Sequence, residues 1–206
     1  MKINGIILAA GLSTRMGDFK PLIKIGEKTM IEHSIDSMLY SGVHAIIVVL
    51  GYRGEELKSL LLSKYSPDKV RIAFNEHFAE TDMLASVKIG IRALPSCDAF
   101  FLLPGDMPAI SSTTFEKVRL TMQQTGTAIV FPEINGYRKH PPLISVSCIE
   151  TICEYEGEGG LRKIWEQFSN VISTVPVDDP GCQIDVDTPG DFLTAVNCMK
   201  KRPIRR

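Results

Sequence analysis

Ile6-Ile7-Leu8-Ala9-Ala10-Gly11-Leu12-Ser13-Thr14-Arg15-Met16-Gly17-Asp18-Phe19-Lys20 is a short apolar run that gives way to a loop of small residues. Ile6-Ile7-Leu8 has the composition of a buried strand, placed here at residues 4–9. At Ala9-Ala10-Gly11 the side chains shrink, so a ligand can approach the backbone closely, and Gly11 and Gly17 permit turns with positive φ. Free N–H groups in such a loop cradle anionic oxygens. Arg15 and Lys20 add two cations on or just beyond it, which suits a polyphosphate. No Gly-Lys-Ser/Thr closes the loop, and its glycines are too far apart for Gly-x-Gly-x-x-Gly. Taken alone, the loop also reads as an ordinary turn from strand to helix.

Outward from this loop, strands and helices alternate. Ile31, Ile35, Met38 and Leu39 recur at helical spacing over 29–41, and Gly42 closes that helix. Residues 45–50 read as a second buried strand, 54–65 as a helix and 70–74 as a third strand. Thr81 is the expected cap of a helix running to Leu94, before a fourth strand at 99–103. The second half predicts a helix near 113–124 and strands near 127–131 and 142–146. Short helices, a strand near 171–177, a return strand near 182–186 and a last helix near 188–199 complete it. Strands too apolar to alternate, each followed by a helix, indicate a mostly parallel sheet covered on both faces. The expected fold is a Rossmann-like three-layer α/β/α domain with right-handed crossovers.

The chain has 206 residues, 44% apolar and 23% charged, with a net charge of −1. That size suits a single domain. The charge gives no global field for nucleic acid. The basic tail, Lys200-Lys201-Arg202 with Arg205-Arg206, reads as a solvated terminus. No apolar run reaches membrane-spanning length, and no signal peptide is read at the start. The five cysteines include no Cys-x-x-Cys pair, which suggests reduced thiols and a cytoplasmic protein. The histidines lack the spacing of a metal site. With no coiled coil or exposed apolar helix in view, a monomer is expected.

Ligands of open α/β sheets bind at the carboxyl ends of the strands. Pro104-Gly105-Asp106-Met107-Pro108 lies at such an end. Asp106 there reads either as a divalent-metal ligand at a phosphate site or as part of a Gly-Asp turn. In Ile184-Asp185-Val186-Asp187-Thr188-Pro189, Asp185 and Asp187 share one face of an extended segment. Asp187 or Thr188 can also cap the helix that follows, and Asp187 is read here as doing both.

These segments resemble one family. Leu8 to Leu22 is similar to the signature of GT-A-fold nucleotidyltransferases, and the chain resembles the MobA/MocA-like molybdenum-cofactor group within them. Gly105-Asp106-Met107-Pro108 resembles the family's Gly-Asp-x-Pro. Lys139-His140-Pro141-Pro142-Leu143 resembles Gly-His-Pro-Val-Leu, with Lys139 and Pro142 as departures. Gly157-Glu158-Gly159-Gly160-Leu161-Arg162 resembles Gly-Asp-x-Gly-Ala-Arg. Asp185-Val186-Asp187-Thr188-Pro189-Gly190-Asp191 resembles Asp-Ile-Asp-Thr-Pro-Glu-Asp. Ala-Ala-Gly at 9–11 goes, in the family, with cytidine nucleotides.

The resemblance implies transfer of CMP from CTP to the phosphate of molybdopterin or its molybdenum form, with Mg²⁺, or Mn²⁺ in its place. Leu8, Ala9, Ala10, Gly11, Ser13 and Gly105 would hold the nucleotide, with Thr81 and Ser86 on its sugar or base. Arg15 would neutralise the leaving pyrophosphate, and Lys20 the charge growing on the α-phosphate. Asp106 and Asp187, with Asp185, would bind the metal. Lys139, His140, Pro141, Gly160 and Arg162 would face the acceptor. Residues 1–110 would form a nucleotide half, 111–199 an acceptor half and 200–206 the basic tail. Two alternatives remain: transfer to a sugar, alditol or choline phosphate, and a cofactor-binding chaperone for a molybdoenzyme client. The presence together of Arg15, Lys20, Asp106 and Asp187 argues against a pure binding module.

Overall fold

A computed structural model describes residues 1–11 and 19–201. In chain order the elements are β1 (Ile3–Ala9), β2 (Lys24–Ile25), β3 (Lys28–Thr29), α1 (Met30–Tyr40), β4 (Ile46–Leu50), α2 (Gly54–Lys64), β5 (Val70–Phe74), α3 (Met83–Arg92), β6 (Ala99–Pro104), α4 (Ser112–Thr125), β7 (Ile129–Ile134), β8 (Tyr137–Arg138), β9 (Leu143–Ser145), α5 (Ile149–Glu154), α6 (Gly160–Gln167), β10 (Ile172–Pro176) and α7 (Pro189–Lys200). The central sheet runs β10-β7-β9-β6-β1-β4-β5, with β8 paired to β7. β6, β1, β4 and β5 are parallel to their neighbours in that order, as are β7 and β10; β9 runs antiparallel between β6 and β7. The mostly parallel sheet read from the sequence is therefore the one observed.

Alternate strand residues face opposite layers. Ile7, Ile46, Val48, Leu50, Phe101 and Leu103 pack with α1, α2 and α4 through Ile31, Ile35, Leu57, Leu61, Phe115 and Val118. Ile6, Ile47, Val49, Phe100 and Leu102 pack on the other face with Leu84, Val87 and Ile91 of α3, Ile152 of α5 and Ile164 of α6. Burying both faces requires apolar residues at consecutive strand positions, which is why these strands read as continuous apolar runs. A third cluster joins Met30, Ala109, Ile184, Val186 and Ala195, and it seats α7 beside the start of α1.

Two sequence expectations fail. No return strand forms at 182–186: residues 180–183 make a short 3-10 turn and the chain then runs outside the sheet. Ile184 and Val186 are buried in the third cluster, so their apolar character comes from packing under α7 and not from strand pairing. The cap of α3 is Asp82, whose carboxylate accepts from Ala85 N, and not Thr81. Among the described residues no helix is long and apolar enough to cross a membrane.

Candidate functional site

The carboxyl ends of β1 and β6 lie side by side, with Ile7 opposite Leu103 and Leu8 opposite Pro104. Past those ends a cavity of 270 Å³ opens. It is lined by Leu8, Ala9, Ala10 and Gly11 after β1, Lys20 and Pro21, Phe78 to Ser86 in part, and Pro104, Gly105 and Asp106 after β6. Gly105 is needed for this closeness. Its N–H donates to Leu8 O at 2.8 Å, and a Cβ at Gly105 would sit 2.8 Å from that oxygen.

Lys20 is fixed from its own backbone outward. Phe19 is buried under an edge-on contact with Tyr52 and the Arg53 guanidinium. Lys20 itself begins a single 3-10 turn, Lys20–Leu22, in which Ile23 N donates to Lys20 O. The Lys20 side chain is only 10% exposed, and its ammonium lies 2.5 Å from Asp187 Oδ1 and 3.7 Å from Asp106 Oδ2.

Asp187 reaches this point because Val186 N donates to Asp106 O, joining the two acidic segments. Ile184 and Val186 face the core, while Asp185 and Asp187 lie on the solvent side of the same segment. The bond from Asp187 N to Asp185 O tightens the chain between them. Thr188, not Asp187, caps α7: its hydroxyl accepts from Asp191 N, and Asp191 returns a carboxylate to Thr188 N in a capping box. The expectation that Asp187 both caps and faces the site is corrected to the second role alone.

Burial pushes the Asp106 carboxyl above its ordinary range; Lys20 opposes this, while Asp185 and Asp187 add to it. Two carboxylates therefore flank one lysine, with the charge of Asp185 also felt at Asp106, a concentration of negative charge that a divalent cation would relieve. The donors are all carboxylate oxygens, the chemistry of Mg²⁺ and Mn²⁺. Among the described residues no three or more His, Cys, Asp or Glu side chains converge into a complete cage. A cation held by one or two carboxylates and completed by substrate phosphates needs no such cage. The residues present fit that kind of metal.

The other expected residues divide. Thr81 and Ser86 line the cavity. Asp82 Oδ2 lies at its mouth, 3.7 Å from where a Cβ of Gly160 would be, so the start of α6 borders the rim. Arg162 is exposed farther along α6 and does not line the cavity. Lys139 N donates to Pro132 O, and Pro142 O accepts from Leu102 N, which places the 139–143 segment beside β6. The His140–Pro141 bond is cis. The His140 ring lies near Asp185 and the Leu102 backbone, burial lowers its pKa, and its Nδ1 is buried without a partner. Ser13 and Arg15 lie outside the described residues.

Sequence reasoning missed Pro21, Phe78, Asp82, Met83 and Pro104 as cavity-lining residues. An aromatic side chain in the polar segment between β5 and α3 was the available signal for Phe78. Its neighbour is Gly51, where a Cβ would sit 2.7 Å from the Phe78 Cβ and 2.6 Å from Ala10 O.

The MobA-like NTP transferase domain matches residues 5–171. The molybdenum cofactor cytidylyltransferase of Escherichia coli is 31% identical over 193 residues, covering 94% of this chain and 95% of that protein. A nucleotidyl transferase from a Methanothermobacter species superposes with a TM-score of 0.81 at 22% identity, covering 97% of this chain and 98% of that one. A 4-diphosphocytidyl-2C-methyl-D-erythritol synthase from Anaerococcus prevotii does so with a TM-score of 0.75 at 18% identity, covering 97% and 96%. These two structures are similar in fold.

Proposed function

The chain belongs to the MobA-like NTP transferase family and is a nucleotidyltransferase of the GT-A type; on that premise we propose that it moves CMP from CTP onto the phosphate of molybdopterin or its molybdenum form. An oxygen of the acceptor phosphate bonds to the α-phosphorus. The bond from that phosphorus to the oxygen bridging it to the β-phosphate breaks, and pyrophosphate leaves with the electron pair. The acceptor phosphate is already anionic, so no side chain has to remove a proton.

The observation that carries this reading is the convergence of Lys20, Asp106 and Asp187 beside the small-residue loop. Backbone groups of residues 8–11, with Gly105 and Ser13, hold the triphosphate. Lys20 exchanges its carboxylate partners for the α-phosphate and is spent on charge that grows in the transition state. Arg15 neutralises the leaving pyrophosphate. Asp106 and Asp187, with Asp185, would hold the Mg²⁺, which would supply charge neutralisation on phosphate oxygens. Lys139, His140, Pro141, Gly160 and Arg162 receive the acceptor, so residues 1–110 serve the nucleotide and 111–199 the acceptor.

The test is pyrophosphate release from each of the four nucleoside triphosphates, with and without molybdopterin. Release from CTP only when molybdopterin is present supports the proposal. Lys139 and Pro142, where the family has Gly and Val, favour a second reading with another anionic acceptor. Release with a sugar, alditol or choline phosphate in place of molybdopterin would select it. Nucleotide binding without release under any condition would select a chaperone acting for a molybdoenzyme client.

A further inference from the structure

Asn75 is 97% buried behind the cavity, at the start of the segment that forms one wall. Its amide orientation is not ambiguous. The backbone N–H of His77 can only donate, and it meets the Asn75 oxygen at 3.1 Å. The Asn75 NH₂ group must therefore face Thr81 Oγ1 and Ser86 Oγ, each at 3.0 Å. Both hydroxyls are thus forced to accept. Thr81 passes its own proton to His77 O at 2.8 Å, which closes the 77–81 turn and uses up that donor. Ser86, 6% exposed and lining the cavity, has no acceptor for its proton among the described residues.

We propose that Asn75 is a positioning residue that holds Ser86 Oγ through one of its lone pairs and leaves the Ser86 proton for the bound nucleoside triphosphate, while Thr81 serves the turn. The inference rests on the nucleotide-binding reading of this cavity. The partner of Ser86 is an acceptor oxygen or nitrogen of the nucleotide's ribose or base. With one lone pair taken by Asn75, the hydroxyl is held in place and its proton is available to an acceptor at that point.

The experiment measures Kd for all four nucleoside triphosphates with Mg²⁺ by calorimetry, together with kcat and KM, in Ser86→Ala, Asn75→Asp, Thr81→Val and the Asn75→Asp/Ser86→Ala double variant. Whichever nucleotide binds wild type is the reference, so failure of the CTP assignment leaves this test intact. If no triphosphate binds wild type, both readings fall. Ser86→Ala is expected to raise Kd about tenfold. Asn75→Asp is expected to raise it about as much, since a carboxylate accepts the Ser86 proton and removes the donor from the cavity. In the Ser86→Ala background the same Asn75→Asp change is expected to cost less than about threefold. KM should follow Kd, with kcat within about twofold of wild type. Thr81→Val is expected to lower Tm by several degrees and to cost Kd less than Ser86→Ala does. Repeating Ser86→Ala with the 2′-deoxynucleotide tests the ribose 2′ oxygen: the loss vanishes if that oxygen is the partner and persists if the base or another ribose oxygen is. Equal losses in Kd from Thr81→Val and Ser86→Ala would overturn the proposal. So would a full tenfold cost of Asn75→Asp when Ser86 is already alanine. Should Asn75→Asp not fold, the contrast between Thr81→Val and Ser86→Ala still decides.

Discussion

Lys20 Nζ lies 2.5 Å from Asp187 Oδ1, a contact between the end of the phosphate-type loop and the segment before α7, 167 residues later in the chain. Asp106 Oδ2 is 3.7 Å from the same ammonium. A buried lysine between two carboxylates is held ready, and its charge can be redirected when phosphates arrive.

Lys20→Ala is expected to lower kcat by about 10²–10³-fold and to change KM for the triphosphate much less. The reason is that its charge matters most as negative charge gathers on the α-phosphate. Steady-state kinetics over a range of CTP checks this. A raised KM with unchanged kcat would place Lys20 in ground-state binding only.

Asp106→Asn is expected to abolish turnover while raising the Tm of the ligand-free protein by a few degrees. Burial and the neighbouring Asp185 and Asp187 disfavour the charged carboxylate, and Lys20 only partly offsets them. Amide substitution removes that repulsion. Thermal unfolding with and without Mg²⁺ and CTP is the check: the stabilisation on adding both should be large in wild type and small in Asp106→Asn.

Ala10→Gly is expected to relax the preference for CTP over GTP by about tenfold without inverting it. A methyl group alone discriminates by only ~1–3 kcal/mol. Ala10 lines the cavity, and Tyr52 N holds its carbonyl at 3.4 Å, so the loop cannot simply retreat from a purine. The ratio of kcat/KM for the two nucleotides, measured with one acceptor, decides. An unchanged ratio would remove Ala10 from base selection.

Glu32→Gln is expected to destabilise the protein near neutral pH by about 1–2 kcal/mol and to flatten its loss of stability in acid. Burial by itself raises the Glu32 pKa, but hydrogen bonds from Thr29 N and Oγ1 at 2.8 Å, with Lys64 nearby, hold the carboxyl below its ordinary range. A carboxyl lowered in the folded state stabilises above its unfolded pKa. That contribution fades as pH falls through the folded value. Urea denaturation between pH 7 and pH 3 should show the wild-type and variant curves converging at the acid end.

The three-layer architecture was legible because its causes are local. Period-2 and period-3.6 apolar patterns, read with Gly42 and the capping residues, reflect which face each element buries. The loop at 8–11 was legible only together with the cations Arg15 and Lys20, since small side chains after an apolar strand also suit an ordinary turn into a helix. The Thr81 cap was misread because the Thr81 hydroxyl is taken by Asn75 and by His77 O, leaving Asp82 to meet the helix. The return strand at 182–186 was misread because alternating apolar residues are required equally by a strand and by a segment packed under α7.

The sequence by itself therefore determined the sheet, its covering helices and the small-residue loop, since each depends on neighbours within a few residues. Only the tertiary structure decided that Lys20, Asp106 and Asp187 meet, because that meeting depends on the Val186–Asp106 hydrogen bond and on α7 docking through the third cluster. It alone also decided the direction of the hydroxyl protons at Thr81 and Ser86. A single buried amide, oriented by one backbone N–H that can only donate, sets that direction.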